Sequence, residues 1–128
     1  MDTVITYWLE TAKHDYATMK VLYDNARYSD ALFFGHVVLE KVLKSLVVGK
    51  TGKHTPHTHD LTRLQFLSGI PLTEEELDLL DTVNDFNIRA RYPERKLEFY
   101  RLCTKEFTGR YITRIDSLYA RLCQEAKR

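Results

Sequence analysis

Little in this sequence would staple, kink or break a chain. Its 128 residues include two cysteines, three prolines and five glycines. So few prolines and glycines, beside many Leu, Ala, Lys and Glu, favour helices over an all-β design. No run alternates apolar and polar residues in the manner of a half-buried strand. Internal repeats and low-complexity segments are missing too. The longest uncharged run near the apolar centre, Ala31 to Leu39, is far shorter than the roughly 20 residues of a membrane span. The first residues include Asp2 and Glu10 and hold no apolar signal region, so no secretory leader is expected. Neither charge sign dominates: 19 Lys and Arg stand against 18 Asp and Glu, a net +1. That balance argues against general nucleic-acid binding.

What is present fits one domain over residues 1–128, large enough to bury a core without staples. Hydrophobic residues make up 44% and charged residues 29%, the balance of an ordinary globular domain. The charge is unevenly spread. Residues 1–88 carry 8 Lys and Arg against 13 Asp and Glu, whereas residues 89–128 carry 11 against 5. The basic C-terminal third could meet phosphate or an acidic partner, or complement the acidic part within one fold or one dimer. Cys103 and Cys123 fall in what reads as one helix, about 30 Å apart at 1.5 Å per residue. A disulfide needs Cα atoms within about 7 Å. The pair therefore reads as reduced packing residues, and the expected location is cytoplasmic.

Apolar periodicity predicts an all-α, antiparallel up-and-down bundle of four long helices plus one short one. Helix 1 is expected from about Thr3 to Asn25, on a stripe of Ile5, Trp8, Ala12, Met19, Leu22 and Ala26 that also includes Asp15. Asn25 is a candidate left-handed cap. Helix 2 should start at a Ser29 cap and reach about Val48. Its apolar residues cover more than one face, so it is central or shares a face with a second subunit. Gly35 inside it implies close backbone packing, and Glu40 with Lys44 has the favourable i, i+4 order for an ion pair. Residues 49–59 form a polar loop, and Thr58 or Asp60 can cap a short helix 3 with Leu61, Leu64 and Leu67. Thr73 with Glu76 reads as the capping box of helix 4. The inward stripe of helix 4 reads Leu77, Leu80, Asn84, Ile88 and Arg91, and Pro93 should end it near Tyr92. Helix 5 restarts near Lys96 and carries Tyr100, Thr104, Phe107, Tyr111, Ile115, Leu118 and Leu122.

Several motifs invite chemical readings. Residues 49–53, Gly-Lys-Thr-Gly-Lys, lack both the leading glycine and the preceding strand of a phosphate-binding loop. His54, His57 and His59 cluster without the fixed spacing of a zinc site, and neither a metal nor a cofactor is expected. No nucleophilic triad can be argued from spacing. Asn84, Asn87, Arg89, Arg91 and Tyr92 form the richest cluster. Two arginines within a turn can hold phosphate, with Asn and Tyr bonding a base or ribose. The competing reading is a structural corner, with Arg91 paired to Asp15 or Glu40.

Five short patterns, in order, resemble the HEPN family (higher eukaryotes and prokaryotes nucleotide-binding domain). Trp8, Ala12 and Asp15 are similar to the W-x3-A-x2-D opening of its first helix. Tyr28, Ala31 and Phe34 resemble the entry to the second. His36, Glu40, Lys41, Leu43 and Lys44 are similar to its H-x3-EK-x-LK centre. Thr58, His59, Asp60 and Leu61 match THDL, and Arg91, Tyr92 and Pro93 match RYP. The resemblance implies a helical bundle, frequent homodimers, and pairing with a minimal nucleotidyltransferase in toxin–antitoxin modules. It also implies a metal-independent ribonuclease motif, R-x4-6-H, but no His follows Arg89 or Arg91 at that spacing.

Three functional readings follow. The first is a non-catalytic HEPN homodimer that binds a nucleotide or a nucleotidyltransferase partner. Its binding residues would be Lys41, Lys44, His59, Asn84, Asn87, Arg89, Arg91 and Tyr92. The second is a ribonuclease toxin with a displaced base, using Arg89 with His59 or His36. The third is an interaction protein without ligand. The missing His argues against RNA as substrate, and the polar end of the helix 4 stripe argues against the third reading.

Overall fold

The computed structural model describes residues 2–127. Six helices form, with no strand among these residues. They are α1 (Asp2–Asp24), α2 (Tyr28–Thr51), α3 (Leu61–Ser68), α4 (Glu74–Arg91), α5 (Pro93–Leu102) and α6 (Lys105–Ala126). The long helices alternate in direction. Along α1 and α2 the contacts run in reverse order: Met19 meets Gly35, Asp15 reaches Lys41 and Ile5 meets Gly49. α6 opposes α1 likewise, since Tyr16 stacks on Tyr119 at 4.5 Å and bonds Asp116, while Tyr23 donates to the Lys105 carbonyl. α4 also opposes α6, through Glu76 with Arg121 and Phe86 edge-on to Tyr111 at 4.9 Å. The result is the expected up-and-down bundle.

α2 lies at its centre and touches α1, α3, α4, α5 and α6. Val38, Leu39, Val42, Leu43, Val47 and Val48 are each at most 2% exposed within a single chain. The apolar second face of α2 is therefore covered by the protomer itself, and its apolarity alone no longer calls for a second subunit. Gly35 has a packing reason. A Cβ there would stand 2.8 Å from Ile115 Cδ1, so the glycine lets α6 close on α2.

Local chemistry sets several ends as read from the sequence. The Asp60 carboxylate caps α3 by accepting from the Thr62 and Arg63 amides. Thr73 and Glu76 form the capping box of α4, satisfying two amides that a helix start leaves unpaired. Other ends differ. α1 stops at Asp24, and Ala26 rather than Asn25 takes the left-handed backbone, at φ 63°. Asn25 instead returns its side-chain amide to the Val21 carbonyl. α2 begins at Tyr28, so Ser29 is inside the helix and not its cap. It runs on to Thr51 and ends on left-handed Gly52. Residues 49–51 are thus helix, which disposes of a phosphate loop there.

Two larger expectations fail. The buried residues of α4 are Leu79, Leu80, Val83, Phe86 and Asn87, whereas Ile88 is 43% exposed and Arg91 is exposed. The stripe is rotated because three leucines at 77, 79 and 80 fit either phase, and Phe86 selects the inward one by packing on Phe99, Phe107 and Tyr111. The single last helix is in fact two. Pro93 starts α5 at a position where its missing N–H costs nothing, and the chain breaks at Cys103–Thr104. Thr104 then caps α6 by accepting from the Phe107 amide. Cys103 and Cys123 therefore do not share one straight helix, but both are free thiols. Burial pushes the Cys103 thiol up to about 11, so it is protonated packing material at neutral pH. Among the described residues, no helix is long and apolar enough to cross a membrane.

Candidate functional site

The site begins with the buried polar face of α2. Glu40 is 9% exposed and gathers three neighbours. Lys44, one turn on, donates to Oε2 at 2.8 Å. His59 Nδ1 lies 3.0 Å from Oε1. The His36 ring nitrogen Nδ1 is 3.6 Å from the same oxygen. Of these, Lys44 and His59 are the partners that let so buried a carboxylate hold its charge at tolerable cost. With Nδ1 turned to Glu40, His59 leaves its Nε2 for a ligand, and its ring is 65% exposed. The dyad fixes the direction of the ring.

The turn that carries His59 is pinned from both sides. His36 Nε2 donates to the His59 carbonyl at 2.8 Å. The Asn84 side chain accepts from the Leu61 amide at 3.0 Å and donates to Asp60 Oδ1 at 2.9 Å. Hydrogen bonding, chiefly from the Thr62 hydroxyl, holds the Asp60 carboxyl below the usual range. Asn84 is thus committed to the fold of the turn.

Burial, partly opposed by Glu40, lowers the pKa of His36 below its ordinary 6.5. The unfolded chain then binds this proton more tightly than the folded one. The stability that His36 contributes is present above pH 6.5 and is lost as pH falls toward its folded value. We expect unfolding free energy to decline from pH 7.5 to 5.5, by up to about 1.4 kcal/mol per pH unit for one proton. Urea melts of His36→Asn should show a flatter pH dependence over that range. An unchanged slope would remove His36 as the titrating group.

Arg91 ends α4 beside this dyad. It lines a cleft of about 340 Å³ together with Phe33, His36, Glu40, His59 and Asn87. It also lines a larger neighbouring cleft of about 580 Å³ with Arg27, Phe33, Lys96, Phe99 and Tyr100. Phe33 and Arg91 belong to both clefts. The α2 residues along them, Ser29 to Glu40, span about 17 Å of helix. Among the described residues Arg91 has no ion pair. The two carboxylates that the sequence offered it are taken: Asp15 by Lys41 at 2.5 Å, and Glu40 by Lys44 and His59.

The other sequence candidates lie apart from this cleft. Arg89 faces α5, pairing with Glu98 at 3.0 Å and Asp85 at 3.8 Å, with its guanidinium over the Phe99 ring. Its Nε is buried without a partner among the described residues. Lys41 belongs to the Asp15 pair on α1. Lys44 opens on another cleft, beside Trp8, His54 and His57. Tyr92 is 52% exposed and lines neither Arg91 cleft. The three loop histidines are divided, His59 turning to Glu40 and the other two to the Trp8 cleft. Sequence reasoning missed Phe33, Lys96 and Tyr100 as cleft walls. The α2 spacing of Phe33 to Glu40, seven residues or two turns, could have placed Phe33 over the dyad.

Comparison with known proteins bears on this arrangement. Residues 5–125 match the family model described as HEPN domain. A search of curated proteins found no match. Among solved structures, the fold is similar to that of TT1696 from Thermus thermophilus, with a TM-score of 0.77 and 19% identity. The alignment covers 95% of this chain and 97% of that one. An identity this low speaks for shared fold alone.

Proposed function

This chain belongs to the HEPN family, and on that premise we propose that it is a non-catalytic nucleotide-binding partner in a nucleotidyltransferase–HEPN module. The phosphate would sit between Arg91, His59 and Asn87. One observation carries the reading: among the described residues, Arg91 is unpaired beside a carboxylate whose own charge is already met. An unpaired guanidinium in a cleft is a ready anion clamp, and its planar fork suits phosphate. Asn87, 7% exposed and on the wall of the same cleft, adds an amide that can donate or accept. Phe33 and Tyr100 offer ring faces for a base in the larger cleft. Calorimetric titration with a panel of nucleoside phosphates tests this, and saturable binding that the parent nucleosides lack is the expected result.

A homodimer is part of the proposal. The contact would use the exposed apolar residues Ile88 of α4 and Leu97 and Leu102 of α5. Light scattering at micromolar concentration should then return about twice the 15.1 kDa chain mass. A value near the chain mass would count against it.

One observation favours a second reading. Glu40 orients His59 as a carboxylate orients a catalytic imidazole, leaving Nε2 free beside Arg91. That pair could accept a 2′-hydroxyl proton and steady a phosphate. In the primary reading, incubation with RNA in chelator gives no cleavage. Cleavage abolished by His59→Ala would replace it with the ribonuclease reading.

A further inference from the structure

We propose a second ligand site, in the cleft between α1 and the 54–57 turn, that takes a small aromatic monocarboxylate with Lys44 as its anion contact. The proposal is independent of the nucleotide reading. The cleft has a volume of about 420 Å³ and is walled by Val4, Tyr7, Trp8, Lys44, His54 and His57. Lys44 is 8% exposed, so its ammonium is largely withdrawn from water. An ammonium has three donors. Among the described residues, Glu40 Oε2 is the one acceptor that Lys44 meets. The remaining N–H groups of a buried cation are left to whatever fills the cleft, and buried donors without acceptors are costly.

The surroundings narrow the ligand. A cation is excluded, because the ammonium already occupies the Trp8 face at 5.0 Å from the ring centroid. A dianionic phosphate would meet Glu40 just behind Lys44, 2.8 Å from its nitrogen. A single carboxylate carries half that repulsion and still accepts from Lys44. The body of the ligand is set by Tyr7 and Trp8, whose rings meet at 70° with centroids 5.1 Å apart. Two rings in that arrangement make a corner, and a flat ring can stack on Tyr7 while meeting the edge of Trp8. Val4 extends the apolar wall. His54 and His57 are exposed and line the same cleft, so either imidazole N–H can donate to the second carboxylate oxygen.

Trp8 is the sole tryptophan of the chain, so its fluorescence reports on this cleft alone. Benzoate and its neutral isostere benzamide are titrated into the full chain. A saturable change with benzoate is expected, with benzamide at least about tenfold weaker, the loss typical of a charge-assisted hydrogen bond. Tyr7→Ala, at a 56% exposed position, should weaken benzoate about fivefold or more without altering the melting temperature. Lys44→Met, where it folds, should erase the preference for benzoate over benzamide. Linear unsaturable quenching, equal responses to the two probes, or an unaltered benzoate affinity in Tyr7→Ala would each overturn the proposal.

Discussion

Replacing Glu40 by alanine is expected to destabilise the protein by about 3–5 kcal/mol, the cost of stranding one partner of a buried ion pair. Lys44 would then keep a buried ammonium with no carboxylate, and His59 would lose its anchor. For a chain of this size the melting temperature should fall on the order of 10–20 °C. The effect belongs to the stranded charge rather than to any large net value of the pair. Glu40→Leu combined with Lys44→Met should therefore recover much of the loss, because a buried pair and an apolar substitute are often nearly equivalent. Differential scanning calorimetry separates these outcomes. A single-variant loss under about 1 kcal/mol would mean that water reaches Lys44 freely.

Arg91→Ala should behave in the opposite way. Arg91 is exposed and has no ion pair among the described residues, so stability should change by less than about 0.5 kcal/mol. Nucleotide affinity should fall by about 1–3 kcal/mol, roughly 5- to 150-fold, as for a lost charge-assisted hydrogen bond. Arg89→Ala gives the contrast. Its guanidinium ties α4 to α5 through Asp85, Glu98 and the Phe99 ring, so it should cost stability rather than direct phosphate contact. Undiminished binding by Arg91→Ala, in a folded variant, would place the ligand elsewhere.

What the sequence disclosed was local. Thr73 with Glu76, Asp60 before Leu61, and Pro93 after Tyr92 each act within a few residues, and each behaves as its chemistry requires. The Glu40–Lys44 pair was legible because a helix brings i and i+4 together. The break at Cys103–Thr104 was hidden because Tyr100, Thr104, Phe107 and Tyr111 keep helical spacing straight across it. The burial phase of α4 was set by Phe86 meeting aromatic rings from α5 and α6, which no local pattern reveals. The site was half visible for the same reason. Arg91, His59 and Asn87 stood out as residue types, but the partners that draw Lys41 and Arg89 away, Asp15 and Glu98, come from other helices.

The most direct test of the central claim follows three side chains while nucleotide is added. Nucleoside triphosphate titrated into isotopically labelled protein should shift the Arg91 Nε–H, the Asn87 side-chain amide and the His59 ring signals together, with one saturation curve. The Arg89 Nε–H should move least. Binding that shifts other parts of the surface and leaves Arg91, Asn87 and His59 unmoved, or the lack of any saturable binding, would contradict the assignment of this cleft as the nucleotide site.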